Sequence, residues 1–352
     1  MLTERIQMNK MATDSFKNDV ILSVRNLKVR FYTRRGIVEA LNEISFDVKR
    51  KQILGIVGES GSGKSVLALS ILNLIERPGR ILNGTVLFEG RDLLKISEKE
   101  MRTLRGGAIS MIFPDPMSAF DPTLTVGYQL LETILRHHRG ISKKEAQKIA
   151  IDLFNKVKIP SPEKRLDEFP AMFSGGMIQR AMIADALSSN PKFIIADNPT
   201  QALDVTIQAQ ILELINELRN NFGTTIILIT NSLPILAKYA DEIMVLYAGK
   251  IVEQGEKRSI LKNPIHPYTQ GLIDSIPRIS GERLKRLKTI KGFSPERLQT
   301  EIKSENCIFS DRCKHAQEIC FIQSPDAALI DSSGVHFAKC FFANDFNRHK
   351  TG

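Results

Sequence analysis

The chain of 352 residues carries a net charge of +10, from 49 Lys and Arg residues against 39 Asp and Glu residues. Hydrophobic residues make up 42% and charged residues 25%, which is typical of a globular protein and excludes a disordered tail, a collagen-like chain and a disulfide miniprotein. No segment approaches the roughly 18 apolar residues of a membrane helix. The N-terminus has no apolar signal-peptide core, so we expect a cytoplasmic protein. The basic charge suits a nucleic acid, a nucleotide or an anionic membrane surface as partner.

The first predicted elements are strands, which follow a variable N-terminus at residues 1–18. Apolar or β-branched residues alternate there between turn residues, which favours a β conformation. The predicted strands are Ile21–Val24, Val29–Tyr32, Ile44–Val48 and the buried strand Ile53–Val57. The last of these runs directly into a glycine-rich loop, and a helix is predicted to follow over Lys64–Ile75.

Helices and strands then alternate through the middle of the chain. Residues 95–160 are predicted to be mostly helical, with Glu98–Leu104 and Lys143–Val157 as the clearest helices. Further on, the helical pattern Thr206–Asn220 separates two apolar strands, Phe193–Ala196 and Thr225–Ile229. The order of strand, crossover helix and strand is typical of an α/β domain.

The glycine-rich loop fits the pattern G-x-x-x-x-G-K-[ST]. Its residues are Gly58, Glu59, Ser60, Gly61, Ser62, Gly63, Lys64 and Ser65. Glycines let the backbone approach phosphate oxygens closely, and backbone N–H groups at the following helix N-terminus favour an anion. In such a loop the lysine, Lys64, reaches the β- and γ-phosphates of a nucleotide, and the Ser65 hydroxyl binds Mg²⁺. The alternative is an ordinary glycine and serine turn that caps a helix.

A second nucleotide motif is the apolar strand that ends in Asp197, about 130 residues after the loop. A carboxylate at this place holds Mg²⁺ directly or through a water molecule in phosphate-loop proteins. A hydrolase would need a second carboxylate next to it to orient or deprotonate water. This chain has Asn198 at that position.

The segment Phe173-Ser174-Gly175-Gly176-Met177-Ile178-Gln179-Arg180 lies between these two motifs. Together they resemble an ATP-binding subunit of the ABC transporter family, whose signature is L-S-G-G-x-x-Q-R; only Phe173 departs from it. Ala202-Leu203-Asp204 resembles the family's D-loop. Residues 263–269, with the sequence N-P-I-H-P-Y-T, resemble the element that marks the oligopeptide/dipeptide (nickel-type) importers. The resemblance covers about residues 20–345.

The resemblance implies a P-loop NTPase fold of ABC type, an α/β fold with an antiparallel β edge. We expect an ATP-binding domain at residues 19–262, with a helical insertion at about 95–180. A small cysteine-containing C-terminal extension would follow at residues 263–352. Phe31 of this chain occupies the position at which members of the family have an aromatic residue that stacks on adenine. Tyr32 is the alternative.

In the family, two ATP-binding subunits pair head to tail. Each ATP is bound by the phosphate loop of one subunit and also contacts the signature of the other subunit. The residues of this chain that the resemblance assigns to the partner's ATP are Ser174, Gly175, Gly176 and Gln179, and the D-loop residue is Asp204. The expected cofactors are ATP and Mg²⁺. The expected partners are a second ATP-binding subunit, two transmembrane permease subunits and an extracytoplasmic solute-binding protein, at the cytoplasmic face of the inner membrane.

Three positions depart from the family where hydrolysis is carried out. Pro114 replaces the Gln of the Q-loop, Asn198 replaces the catalytic Glu, and Asn231 replaces the His after the strand Thr225–Ile229. Proline has no side-chain amide for Mg²⁺ or water, and an Asn amide accepts no proton near neutral pH. We therefore expect a subunit that binds ATP and hydrolyses it poorly beside a competent partner. The alternatives are a decayed or regulatory copy, or a non-transport ABC protein that acts on nucleic acid.

The four cysteines of the chain lie near its end with the spacing C-x5-C-x6-C-x19-C. They are Cys307, Cys313, Cys320 and Cys340. Four thiolates suit a [4Fe–4S] cluster or a tetrahedral Zn²⁺, and free thiols are the third alternative. The resemblance to the peptide importers implies the iron–sulfur cluster. The basic stretch 278–303 precedes the cysteines and is either a solvated surface or a contact with anionic lipid or a membrane partner.

Overall fold

A computed structural model describes residues 19–201, 203–277, 289–292, 306–330 and 336–348. The predicted variable N-terminus, Ala202 of the D-loop and most of the basic stretch 278–303 lie outside these residues. Within the described part of the chain, no helix is both long enough and apolar enough to cross a membrane.

The strands follow one another along the whole described chain. They are β1 (Val20–Thr33), β2 (Gly36–Lys49), β3 (Ile53–Val57), β4 (Gly79–Phe88), β5 (Arg91–Asp92), β6 (Ile109–Ile112), β7 (Phe193–Asp197), β8 (Thr225–Thr230), β9 (Glu242–Tyr247), β10 (Lys250–Glu256), β11 (Ala327–Leu329) and β12 (Phe337–Lys339).

The helices lie between these strands. They are α1 (Lys64–Ile71), α2 (Glu98–Leu104), α3 (Pro116–Ala119), α4 (Val126–His137), α5 (Lys143–Lys156), α6 (Pro162–Leu166), α7 (Gly175–Leu187), α8 (Val205–Phe222), α9 (Leu233–Tyr239), α10 (Lys257–Lys262), α11 (Pro267–Asp274), α12 (Glu318–Ile322) and α13 (Ala343–Arg348). Short 3₁₀ turns occur at Pro170–Met172 and Ser310–Arg312.

The described chain divides into two compact units, and the first contains most of residues 88–229. Its sheet is parallel: β6 pairs with β7, and β7 pairs with β8, with Asp197 opposite Ile229. All five residues of β7 are buried, as expected of a parallel strand covered on both faces. Helix α8 connects β7 to β8 and ends at Gly223, whose φ of 67° is the left-handed conformation that glycine favours.

The second unit contains residues 23–47, 53–87 and those residues after 229 that the structure describes. Its strand β3 pairs in parallel with β9, and β9, β10, β12 and β11 continue as antiparallel neighbours. The C-terminal strands thus extend the antiparallel edge of the sheet that carries the glycine-rich loop. Strands β2, β1 and β4 form a second sheet in that order.

Three predicted elements differ from the structure. The first two predicted strands are one continuous strand, β1, which contains Asn26 with a left-handed φ of 49°. The helix predicted over Lys64–Ile75 ends at Ile71, and Asn73 with a φ of 50° then turns the chain away. The stretch 95–160 contains the four-residue strand β6, which pairing with β7 stabilises.

Glu253 joins the C-terminal region to β10 in the second unit. Its side chain is fully buried, and its carboxylate accepts hydrogen bonds from the backbone N–H groups of Ile265 and His266, at 2.8 and 2.9 Å. The Nε2 atom of His336 lies 2.9 Å from the same carboxylate. A buried carboxylate is stable only where such donors satisfy it. Glu253 therefore fixes the positions of Ile265, His266 and His336 relative to strand β10.

We predict that Glu253→Ala lowers the free energy of unfolding by about 3 kcal/mol, because the variant leaves buried N–H donors without an acceptor. Glu253→Gln retains one acceptor oxygen and should lose less. Urea denaturation of the purified chain measures both. The matched control is Glu256→Ala, which removes an exposed carboxylate of the same strand and should change stability by no more than about 0.5 kcal/mol. Equal losses at the two positions would contradict the assignment.

Candidate nucleotide site

The glycine-rich loop connects β3 to α1 in the tight conformation that its glycines permit. A Cβ atom on Gly58 would overlap the carbonyl oxygen of Leu246, so the backbone of the loop lies directly against strand β9. Gly63 has a φ of 103°, which side chains rarely allow, and a Cβ there would lie 2.6 Å from the carbonyl oxygen of Ala40. These two glycines are therefore required by packing and backbone conformation.

Lys64 holds its ammonium group inside this loop. The Nζ atom donates hydrogen bonds to the carbonyl oxygens of Gly58 and Glu59, both at 2.8 Å, and to the Ser62 hydroxyl at 3.2 Å. Gly63 is the N-cap residue of α1, and because it has no side chain it cannot cap the helix. The exposed Ser65 follows in the first turn. A lysine and a helix N-terminus at one loop suit the phosphates of a nucleotide.

Glu59 of the loop contacts residues that the sequence patterns did not identify as site residues. Its backbone N–H donates to the hydroxyl of Tyr268 at 2.8 Å. Its carboxylate forms a two-bond ion pair with Arg312, at 2.7 and 3.1 Å. The sequence contained one indication for each of these two residues. Tyr268 belongs to the N-P-I-H-P-Y-T element, and Arg312 directly precedes Cys313.

Asp197 and Asn198 lie together at the end of β7 in the first unit. Asp197 is buried, and the side-chain amide of Asn198 donates to its Oδ1 atom at 3.0 Å. Asn198 has a φ of 46°, a conformation that asparagine tolerates, and its N–H donates to the carbonyl oxygen of Ile229. The carboxylate predicted to bind Mg²⁺ is thus in contact with the amide that stands at the family's Glu position.

The other two departures lie at the ends of strands. Pro114 is half-buried and follows β6 by two residues. The next residue, Asp115, caps helix α3 by accepting from the N–H of Met117. Asn231 directly follows β8 and is exposed. Their roles in hydrolysis stay predictions.

The signature residues begin helix α7. Ser174 is its N-cap, with the hydroxyl accepting from the N–H of Met177 at 3.3 Å, and Ser174 and Gly175 are exposed. Gly176 is half-buried, because it packs against Ile207. Gln179 is only 2% exposed, so this arrangement does not present its side chain to a neighbouring molecule, and its contact with a partner's ATP stays a prediction.

Asp204 of the predicted D-loop caps the N-terminus of helix α8. Its carboxylate accepts from the N–H groups of Thr206 and Ile207, at 3.1 and 3.0 Å. Such a cap satisfies donors that would otherwise have no intrahelical partner. The residue therefore has a local structural role in addition to the role that the family motif predicts for it.

Adjacent aromatic residues of β1 differ in exposure. Phe31 is half-buried and lies against Gly79, where a Cβ would meet the phenyl ring at 2.7 Å. Tyr32 is 42% exposed, and the guanidinium of Arg80 lies 5.5 Å from the centre of its ring. An exposed ring can accept a base by stacking, so this placement favours Tyr32, the alternative to the predicted Phe31.

All four cysteines line one small cavity in the second unit, of about 10 Å³. The thiols are free, and burial raises the pKa of Cys340 to about 12 and the pKa values of Cys307 and Cys313 above the ordinary thiol value. The donor set fits an iron–sulfur cluster. In this structure the cavity has room for about one water molecule, so a cluster would enter it only if the thiols separated. Among the described His, Cys, Asp and Glu residues, no group of three or more is arranged as metal ligands.

The chain matches two protein-family models. The model for the ABC transporter matches residues 41–201, and the model for the C-terminal region of oligopeptide/dipeptide transporters matches residues 252–320. The chain is 46% identical to the oligopeptide transport ATP-binding protein OppD of Salmonella typhimurium, over 86% of this chain and 88% of OppD. It is 44% identical to the dipeptide transport ATP-binding protein DppD of Lactococcus lactis, over 91% of this chain and 90% of DppD.

Among solved structures, the chain resembles the ATP-binding cassette MJ0796 in a dimeric post-hydrolysis state bound to ADP and phosphate. The TM-score is 0.62 at 25% identity, and the match covers 67% of this chain and 99% of the cassette. The fold is therefore that of an ABC ATPase cassette, as predicted. The chain belongs to the ABC transporter family. Within that family it is an ATP-binding subunit of the oligopeptide and dipeptide transport type.

We predict that Tyr32→Ala weakens ATP binding by about 1–3 kcal/mol, the usual contribution of a base stacked on an aromatic side chain. Phe31→Ala should mainly lower stability, because that ring is packed against the backbone. Titration with a fluorescent ATP analogue, together with thermal unfolding, separates the two effects. Unchanged ATP affinity in Tyr32→Ala with weakened affinity in a stable Phe31→Ala would assign the stacking to Phe31.

Proposed function

We propose that this chain is the catalytically weak half of an asymmetric ATPase pair that energises uptake of peptides or similar solutes. It would bind MgATP through its own phosphate loop and present its signature to ATP held mainly by a second, competent ATP-binding subunit. The observation that carries the proposal is the hydrogen bond from the Asn198 amide to the Asp197 carboxylate.

This contact changes the chemistry expected at the end of β7. A Glu at position 198 would place two carboxylates side by side, and their repulsion would raise the pKa of one and make it a better base. The Asn198 amide instead donates to Asp197, and an amide accepts no proton near neutral pH. Loss of a general base typically costs a factor of about 10²–10⁴ in rate.

Pro114 and Asn231 add to the same expectation. Proline cannot supply the side-chain amide of the family's Gln. Asparagine lacks the imidazole that contacts the γ-phosphate, and losing one polar group of this kind is worth about 10²–10³ in kcat. The losses in rate at the three positions need not add, because groups that act together in one site are not independent.

The proposed assembly follows from the relatives, which are named oligopeptide and dipeptide transport ATP-binding proteins. We propose that the chain docks, together with the second ATP-binding subunit, on two transmembrane permease subunits that receive solute from an extracytoplasmic binding protein. It would lie peripherally at the cytoplasmic face of the inner membrane. Exposure of Ser174 and Gly175 at the start of α7 supports a role for the signature toward a partner's ATP.

The proposed assembly is tested by purifying this chain through an affinity tag, together with any membrane subunits bound to it. The measurement is the release of phosphate from ATP by that complex. Release stimulated by solute is expected, and Lys64→Ala should reduce it, because the lysine binds the phosphates of ATP. An unchanged rate in Lys64→Ala would indicate a regulatory role. No release, or no copurifying membrane subunit, would indicate a decayed copy. Strong, salt-dependent DNA binding would indicate a nucleic-acid function.

The weak site is tested in a complex whose partner subunit has lost its own catalytic Glu, so that only this chain's site can turn over. We predict that Pro114→Gln, Asn198→Glu and Asn231→His, introduced together, raise ATP turnover there by at least about 10²-fold. The matched control is Asn220→Glu, the same chemical change at an exposed position of helix α8. Turnover that stays at the level of the control would contradict the catalytic part of the proposal.

We further propose that the four cysteines hold a [4Fe–4S] cluster of structural or sensing function. Their convergence on one cavity supports this proposal, although the thiols must move apart and lose their protons to bind it. We predict iron and visible absorbance in protein purified without air, and loss of both in Cys313→Ser. Zinc in place of iron would indicate a tetrahedral zinc site, and metal-free protein would indicate free thiols.

A further inference from the structure

The C-terminal region contacts the phosphate loop at Glu59. Tyr268 contacts its backbone and Arg312 contacts its side chain. We propose that Arg312 and Tyr268 are positioning residues for the phosphate loop, so that the C-terminal region is a working part of the nucleotide site. The proposal concerns ATP binding and is independent of how fast the bound ATP is hydrolysed.

Arg312 is held firmly enough to fix the position of Glu59. Its side chain is 5% exposed, and both terminal nitrogens donate to the Glu59 carboxylate. Its Nε atom donates to the carbonyl oxygen of Lys291 at 2.8 Å, and its guanidinium lies 5.7 Å from the centre of the Tyr247 ring. Such a planar, two-bond pair has a defined geometry that a lysine cannot reproduce.

The charge of Arg312 is maintained despite its burial. Burial by itself lowers the pKa of a guanidinium, but the hydrogen bonds to Glu59 and Tyr247 raise the pKa of Arg312 above its ordinary value. The pair therefore places one positive and one negative charge together beside the phosphate loop. Without Arg312, the Glu59 carboxylate would be an unpaired negative charge on the loop that must accept the negative phosphates of ATP.

Tyr268 supports the backbone of the same residue. Its ring is fully buried against Tyr247 and Phe309, with ring centres 4.6 and 5.5 Å away. Its own N–H donates to Nδ1 of His266, whose backbone is in turn held by Glu253. This packing fixes the hydroxyl that accepts from the Glu59 N–H, and it gives the N-P-I-H-P-Y-T element a physical role.

Glu59 transmits this support to Lys64. The carbonyl oxygen of Glu59 accepts a hydrogen bond from Lys64 Nζ at 2.8 Å. A shift of Glu59 would therefore move an acceptor of the lysine that binds the β- and γ-phosphates. The C-terminal contacts thus act on ATP through both the charge and the position of the loop.

The test is ATP binding by the full chain, measured by titration with a fluorescent ATP analogue in the presence of Mg²⁺. We expect Arg312→Gln to raise the Kd about tenfold, equivalent to 1.4 kcal/mol. Adding Glu59→Gln to that variant removes the unpaired charge and should return the Kd to within about threefold of wild type. A residue that only stabilised the fold would leave the Kd of the folded protein unchanged, both in the single and in the double variant.

The matched control is Arg25→Gln. Arg25 forms an exposed ion pair with Asp47 of the same length, 2.7 Å, in the same unit. Its hydrogen bonds to Val24, Phe46 and Asp47 involve no residue of the phosphate loop, so ATP affinity should not change. Arg312→Lys should be intermediate, because it keeps the charge but loses the two-bond geometry. Thermal unfolding of each variant confirms that the titrated protein is folded.

Tyr268→Phe provides a second test that does not depend on the folding of Arg312→Gln. It keeps the buried ring and removes only the hydroxyl, and we expect it to raise the Kd about threefold. Wild-type affinity in Arg312→Gln or Tyr268→Phe would overturn the role of that residue. The charge argument would be overturned if the variant with both Gln substitutions bound ATP as weakly as Arg312→Gln, or if Arg25→Gln had an equal effect.

Discussion

The close approach of the phosphate loop to its neighbouring backbone is the constraint on which the nucleotide site depends. Gly58 lies against the carbonyl oxygen of Leu246, and Gly63 takes a left-handed conformation beside Ala40. A side chain at Gly58 would push the loop away from strand β9, and a side chain at Gly63 would push it away from strand β2. With the loop in this position, the N-terminus of helix α1 and the ammonium group of Lys64 lie at the same loop. Backbone dipoles and a fixed positive charge there both favour the binding of phosphate.

The same loop is supported from a part of the chain that has no nucleotide motif of its own. Strands β10, β12 and β11 extend the sheet beyond β9, and Glu253 joins β10 to the segment that carries Tyr268. The 3₁₀ turn Ser310–Arg312 then brings a buried guanidinium to Glu59. In this arrangement the C-terminal region of a peptide-type subunit and its phosphate loop are packed in one compact unit. Cys313 follows Arg312 directly, which places the cysteine cavity next to the ion pair.

The C-terminal end of β7 combines a regular parallel strand with an adjacent acid and amide, Asp197 and Asn198. Strand β7 is fully buried and pairs in parallel with β8, and Asp197 is its last residue, opposite Ile229. The departure from the family's motif lies in the next side chain, Asn198. An amide that donates to Asp197 and accepts no proton can hold that carboxylate in place but cannot act as a general base.

The sequence by itself determined the α/β class, the phosphate loop, the signature, Asp197 and the three departures from the family. These features are short runs of residues whose spacing carries the chemistry, and they need no distant partner to be recognised. The tertiary structure decided the end of α1, strand β6, the contrast between Phe31 and Tyr32, and the shared cavity of the cysteines. It also decided the contacts of Glu59, because Tyr268 and Arg312 lie 209 and 253 residues away along the chain and no local pattern links them. Only folding brings such partners within hydrogen-bonding distance, and burial then makes the contact specific.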